Sequence, residues 1–134
     1  MNSKLLPSYN CVVVDDDQFF IDLISGYINQ VAKLKILKSF TNPATAIAEI
    51  SESDQIDFLF LDIRMDKISG IDVAKILRDK VRFIVFTTAY SEFALKAYQV
   101  GGDQYIMKPI YFESFLDKIN SVLKRNYAEE MQLP

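Results

Sequence analysis

Four times in this chain an apolar run ends on residues able to do chemistry. Val12 to Val14 run into Asp15, Asp16 and Asp17; Phe58 to Leu61 into Asp62; Phe83 to Phe86 into Thr87 and Thr88; Tyr105 to Met107 into Lys108 and Pro109. Brought together, carboxylates, a hydroxyl and an ammonium suit a divalent cation and a phosphoryl group. Carboxylates held within a few ångströms repel one another, at a cost on the order of several kcal/mol per pair when the effective dielectric is near 20. A cation removes that cost. Oxygen ligands without His or Cys select a hard ion, and Mg²⁺ takes one or two carboxylates while keeping several waters.

Each signal alone also has an ordinary structural reading. The Asp triplet could be a solvated turn that caps the next helix, Lys108 an exposed charge at a strand end, and Tyr105 a half-buried strand aromatic. Thr88 could be a β-branched strand residue that caps a helix. It is Asp62, at the end of a second buried run, that turns the triplet toward a metal. A cis peptide is admissible between Lys108 and Pro109 because the second residue is proline.

The elements that would position these residues follow from periodicity. Short apolar runs bounded by polar residues read as buried parallel strands. Helical spacing appears in Phe20, Leu23, Ile24, Tyr27, Ile28 and Val31, and again in Phe112, Phe115, Leu116, Ile119, Val122 and Leu123. Lys35 to Phe40 reads as a second strand. Thr41-Asn42-Pro43 starts a second helix whose modest face carries Ala44, Ile47 and Ala48. Asp57 opens the third strand, and Ser69-Gly70 is a turn ahead of a helix bearing Val73, Ala74 and Leu77. Arg82 to Thr88 is the fourth strand. Ser91 caps a helix with Ala94, Ala97 and Tyr98 on its apolar side, Gly101-Gly102 ends it, and Gln104 to Met107 is the fifth strand. Beyond Lys124 the pattern fades.

Strand and helix thus alternate five times, which predicts a three-layer α/β/α sandwich on a doubly wound, flavodoxin-like, five-stranded parallel sheet. Such sheets commonly take the order 2-1-3-4-5, and ligands collect beyond the strand ends where the order reverses. Asp15, Asp16 and Asp62 should therefore be neighbours.

Composition sets the outer bounds. A chain of 134 residues, half hydrophobic and a quarter charged, fits one soluble domain with its own core. The net charge is −3 with no basic run, which disfavours direct nucleic-acid binding by this segment. One cysteine and no histidine build neither a disulfide nor a zinc site, and Cys11 reads as a small buried hydrophobe. Met1 to Ser8 lacks the character of a signal peptide and no run is long enough to span a membrane, so the expected compartment is the cytoplasm.

The segments VVVDDDQFF, FLFLDIRMDKISGIDV, IVFTTAY and DQYIMKPI resemble the receiver domain of two-component response regulators, from Asn10 to about Arg125. TTAYSEFALKAYQV further resembles receivers of LytTR-type transcription regulators. The resemblance implies that Asp62 is the phosphoacceptor, taking its phosphoryl group from a sensor histidine kinase. Asp16, Asp62 and the backbone carbonyl of Arg64 would bind Mg²⁺, with Asp15 acting through a water. Lys108 and Thr88 would contact phosphoryl oxygens, and Thr88 with Tyr105 would form the switch that alters the face made by the fourth helix, fifth strand and fifth helix. Arg64 and Tyr90, two residues beyond Asp62 and Thr88, would tune the phosphoryl lifetime. The division is a lead over 1–9, a receiver over 10–125, and a tail or start of a linker over 126–134. The resemblance also allows a homodimer through the switched face and a C-terminal output domain in a longer chain. Such a domain is no enzyme, although it takes part in its own phosphorylation and slow autodephosphorylation.

Some residues depart from the family pattern. Asp66 stands where the family usually has proline, which predicts a looser loop and an extra charge near an acidic site. Asp17 replaces a frequent glutamate. Gly101-Gly102-Asp103 replaces a more apolar segment, which predicts a less rigid exit from the fourth helix. Two other functions compete. VVVDDDQF resembles the first motif of haloacid-dehalogenase-type phosphatases, with Asp15 as nucleophile, but Phe19 stands where threonine is needed and Asp62 would have no role. A receiver-like binding module that is never phosphorylated would need none of the assembled polar residues.

Overall fold

Parallel strands β1 (Tyr9–Val14), β2 (Leu34–Phe40), β3 (Ile56–Asp62), β4 (Val81–Thr88) and β5 (Gln104–Met107) pair in the order β2-β1-β3-β4-β5. The computed structural model describes residues 8–91 and 94–132, without the side chains of Ala94 and Leu95. Most of the expected lead, the start of the fourth helix after Ser91, the place of Ala94 on that helix and the last tail residues lie outside the described residues.

Helices α1 (Gln18–Asn29), α2 (Pro43–Glu49), α3 (Gly70–Leu77), α4 (Ala94–Gln99) and α5 (Phe112–Met131) connect or follow the strands, giving the expected three layers. The middles of the central strands are apolar because both of their faces are covered. On one face Val12, Val14, Leu59, Leu61, Ile84 and Phe86 pack with Val73, Ala74 and Leu77 of α3. On the other, Cys11, Val13, Phe58, Phe60 and Val85 pack with Ile24 and Ile28 of α1 and Phe115 and Ile119 of α5. Each large side chain buried this way contributes roughly 1.5–3 kcal/mol. Burial pushes the Cys11 thiol up to about 12, so it packs as a neutral hydrophobe.

Side chains one residue into the helices' approach fix where they start. Asp17 Oδ1 accepts from the Phe19 N–H at 2.9 Å, Asn42 Oδ1 from Ala44 at 2.9 Å, and Ser69 Oγ from Ile71 at 3.0 Å.

Several boundaries differ from the sequence reading. β2, β3 and β4 begin at Leu34, Ile56 and Val81, each buried and each just ahead of a charged residue that hid it. The buried face of α2 is Pro43 and Ala46 with the partly buried Ile47, followed by Ile50, whereas Ala44 and Ala48 are exposed; proline in the first turn is itself a core residue. α5 continues to Met131 because Ala128, Glu129, Glu130 and Met131 are good helix formers, and Arg82 reaches Glu130 at 3.4 Å.

The exit from α4 is held rather than loose. Gly101 takes φ +89°, a left-handed conformation that ends the helix at little cost only for glycine. Arg78 donates to the Gly101 carbonyl and, at 3.2 Å, to Asp103 Oδ2. Asp103 Oδ2 also accepts the Ile84 N–H at 2.8 Å, and Asp103 Oδ1 faces Arg125 of α5 at 3.2 Å.

Candidate active site

The strand register decides what meets at the carboxyl edge of the sheet. Val14 lies beside Leu61, so Asp15 and Asp62 follow on adjacent strands. Asp62 pairs with Thr87 and Thr88 with Met107, which carries Lys108 to the same edge. The Lys108 N–H donates to the Thr88 carbonyl at 2.8 Å, and the Lys108-Pro109 peptide is cis.

Carboxylate oxygens of Asp15, Asp16 and Asp62 all lie within 4.8 Å of one another. Asp15 and Asp62 are buried, at 1% and 4% exposure, while Asp16 is exposed. Lys108 Nζ bridges the buried pair, 2.9 Å from Asp15 Oδ2 and 3.3 Å from Asp62 Oδ1. The other oxygen of Asp15 accepts the Asp17 N–H at 2.9 Å. These residues line a depression of about 230 Å³ with Phe20, Arg64, Thr88, Ala89 and Tyr90.

One ammonium against three carboxylates leaves the site short of positive charge. Burial, reinforced by the charge of Asp15, pushes the Asp62 carboxyl up to about 7 although Lys108 opposes the shift. Burial likewise raises Asp15, against the Asp17 N–H and Lys108. The donor set, oxygen-only and crowded, fits a hard divalent cation.

Thr88 is buried at the rim, and its Oγ1 accepts the Tyr90 N–H at 3.2 Å. The Arg64 guanidinium carbon stands 4.4 Å from the centre of the Tyr90 ring. Tyr105 does not line the depression. It is half-buried on β5, and its hydroxyl donates to the main-chain carbonyl of Tyr90.

Three contacts have no direct trace in the sequence reading. The Phe20 ring, assigned only to the core face of α1, has Lys108 Nζ 3.8 Å from its centre, a cation–π contact beside the carboxylates. The Asp66 N–H donates to Asp16 Oδ2 at 3.2 Å. A Cβ on Gly70 would fall 2.0 Å from the Asp62 carbonyl oxygen, so only glycine lets α3 begin against the end of β3. The Ser69-Gly70 turn signal marked that place without revealing the close approach.

Comparison with known proteins bears on the family and the fold. The family model for the response regulator receiver domain matches residues 11–120. An uncharacterized response regulatory protein of Vibrio cholerae is 35% identical over 136 residues, covering 94% of this chain and 50% of that protein. The sensory transduction protein LytT of Enterococcus faecalis is 34% identical, over 88% of this chain and 48% of that protein. The chain therefore spans about half the length of the curated relatives it matches. Among solved structures, the response regulatory domain of protein mrkE from Klebsiella pneumoniae superposes with a TM-score of 0.75 at 26% identity, covering 92% of this chain and 99% of that one. A chain of the CheX-CheY-BeF3-Mg²⁺ complex from Borrelia burgdorferi shares the fold with a TM-score of 0.80 at 19% identity, over 92% and 95%.

Proposed function

This chain belongs to the response regulator receiver domain family, and from that membership we propose how its residues divide the work. It is a phosphoacceptor receiver domain of two-component signalling. Asp62 is the phosphoacceptor. One of its carboxylate oxygens attacks phosphorus on a phosphohistidine of a sensor histidine kinase, the P–N bond breaks, and the departing imidazole keeps the electron pair and takes up a proton. Asp62 is left as an acyl phosphate.

The observation that carries this reading is the meeting of Asp15, Asp16 and Asp62 within 4.8 Å beside Lys108. Asp16, Asp62 and the Arg64 carbonyl would hold Mg²⁺, with Asp15 acting through a water, and the ion would supply positive charge to the transferring oxygens. Lys108 pairs with a phosphoryl oxygen, and Thr88 donates its hydroxyl to another. Alignment and charge neutralisation account for most of the acceleration in phosphoryl transfer. Once Thr88 turns toward the phosphoryl group, Tyr105 moves into the space behind it, and the face formed by α4, β5 and α5 changes. Arg64 and Tyr90, stacked over the site, restrict attacking water and so lengthen the phosphoryl lifetime.

The domain consumes its own phosphoryl group slowly and turns over no other substrate. The unit proposed for this work is 10–125, with a lead over 1–9 and a C-terminal tail or the start of a linker over 126–134, of which α5 takes in the part up to Met131. Beyond the domain, we infer a C-terminal output domain for transcription regulation, a homodimer through the switched face, no direct nucleic-acid contact by this segment, and a cytoplasmic location. Among the described residues no helix is long and apolar enough to cross a membrane.

Neither competing function is favoured. With Asp15 as a phosphatase nucleophile, Phe19 stands where threonine is needed, and the buried Asp62 facing Lys108 is left without a role. A module without phosphoryl chemistry gives no reason for the crowded carboxylates. The test is to incubate wild type and Asp62→Asn with Mg²⁺ and acetyl phosphate and weigh the intact proteins. Only wild type gains a phosphoryl group; equal gain by both would reject Asp62.

A further inference from the structure

We propose that the main-chain N–H of Asp66 is a positioning group that sets Asp16 for cation binding, an inference that rests on the metal site assigned above. The three clustered carboxylates are not held alike. Asp15 and Asp62 are buried and tied to Lys108, so their rotamers are fixed by packing and charge. Asp16 is exposed, and among the described residues the hydrogen bond to its carboxylate comes from Asp66, 50 positions away in sequence.

That bond does what burial does for the other two. An exposed aspartate samples several χ1 wells, and holding it in one of them costs entropy on binding. With the Asp66 N–H on Oδ2 at 3.2 Å, the side chain is already turned toward the end of β3 before a cation arrives. A carboxylate has about four acceptor sites, so one N–H leaves room for a metal ion. The donor belongs to the loop between β3 and α3, which also carries Arg64. Cation binding at Asp16 and the setting of that loop are thereby coupled.

The donor is the backbone, not the side chain of Asp66, and this separates two variants. Proline, the usual family residue at this position, has no N–H. Asp66→Pro deletes the bond, whereas Asp66→Ala keeps it and removes only an exposed charge. Titrating MgCl2 into the full metal-free chain by calorimetry in 0.5 M KCl, where surface charge is screened, should show Asp66→Pro binding about 5-fold more weakly than wild type and Asp66→Ala within about 2-fold. Without metal, the ¹H–¹⁵N signal of the Asp66 amide should shift in Asp16→Ala, because that variant removes its acceptor.

Asp66→Pro binding as tightly as wild type would overturn the proposal, as would an Asp66→Ala loss equal to that of proline, or an Asp66 amide signal indifferent to Asp16→Ala. Should wild type itself bind no Mg²⁺, the site assignment falls along with this inference.

Discussion

The phenol of Tyr105 donates to the main-chain carbonyl of Tyr90, so β5 is tied to the segment that leaves β4 beside the buried Thr88. Tyr90 in turn stacks against Arg64, two residues beyond Asp62 at the end of β3. A chain of contacts thus runs from the site to the sheet edge. Tyr105→Phe keeps the ring and removes the bond, and should destabilise the domain by about 1 kcal/mol in urea melts. An unchanged midpoint would mean that water replaces the contact without loss.

Stability should depend on pH through Asp62. Its folded-state value, about 7, lies above the roughly 3.9 of an unfolded aspartate. The folded chain therefore binds the proton more tightly, and the stabilisation, fully present below the unfolded value, is lost as pH rises through about 7. Metal-free wild type should melt at a higher urea concentration at pH 6 than at pH 8. Asp62→Asn, which cannot ionise, should flatten the profile and exceed wild type at pH 8 by on the order of a few kcal/mol. A wild-type profile as flat as that of the variant would reject the assignment.

Lys108→Met has effects of opposite sign on stability and metal affinity. Removing the ammonium strands two buried carboxylates and should cost about 3 kcal/mol in the metal-free chain. It also removes a positive charge that a cation must approach, so Mg²⁺ should bind more tightly by calorimetry. Phosphoryl gain from acetyl phosphate should fall by at least about 10-fold, because the charge that faces the transferring oxygens is gone. Tighter metal binding with an undiminished rate would exclude Lys108 from the chemistry.

The Arg64–Tyr90 stack covers one side of the depression. The double variant Arg64→Ala, Tyr90→Ala should lose its phosphoryl group several-fold faster than wild type, followed by mass spectrometry after removal of the donor. Equal decay would show that water reaches the acyl phosphate by another route.

What the sequence disclosed was governed by strand ends. Asp15, Asp62, Thr88 and Lys108 each follow a buried run, and parallel register alone carries them to one edge. Contacts made from the side were not legible. Phe20 has the spacing of a core residue, and nothing in that spacing tells that its ring lies against Lys108. The Asp66 N–H has no side-chain signature at all, since every residue but proline carries one. On α2, Pro43 looked like punctuation and proved to be core, which displaced the expected face by a step. Asp103 looked like part of a flexible glycine turn, yet its carboxylate is shared by Arg78, Arg125 and the Ile84 N–H, partners that only the tertiary fold supplies.

That shared carboxylate has a mechanical meaning. Soon after α4, the chain is bolted to the middle of β4 and to α5 through Asp103. Asp103 thereby makes the carboxyl end of α4 a fixed end, tied by one carboxylate to three separate parts of the fold.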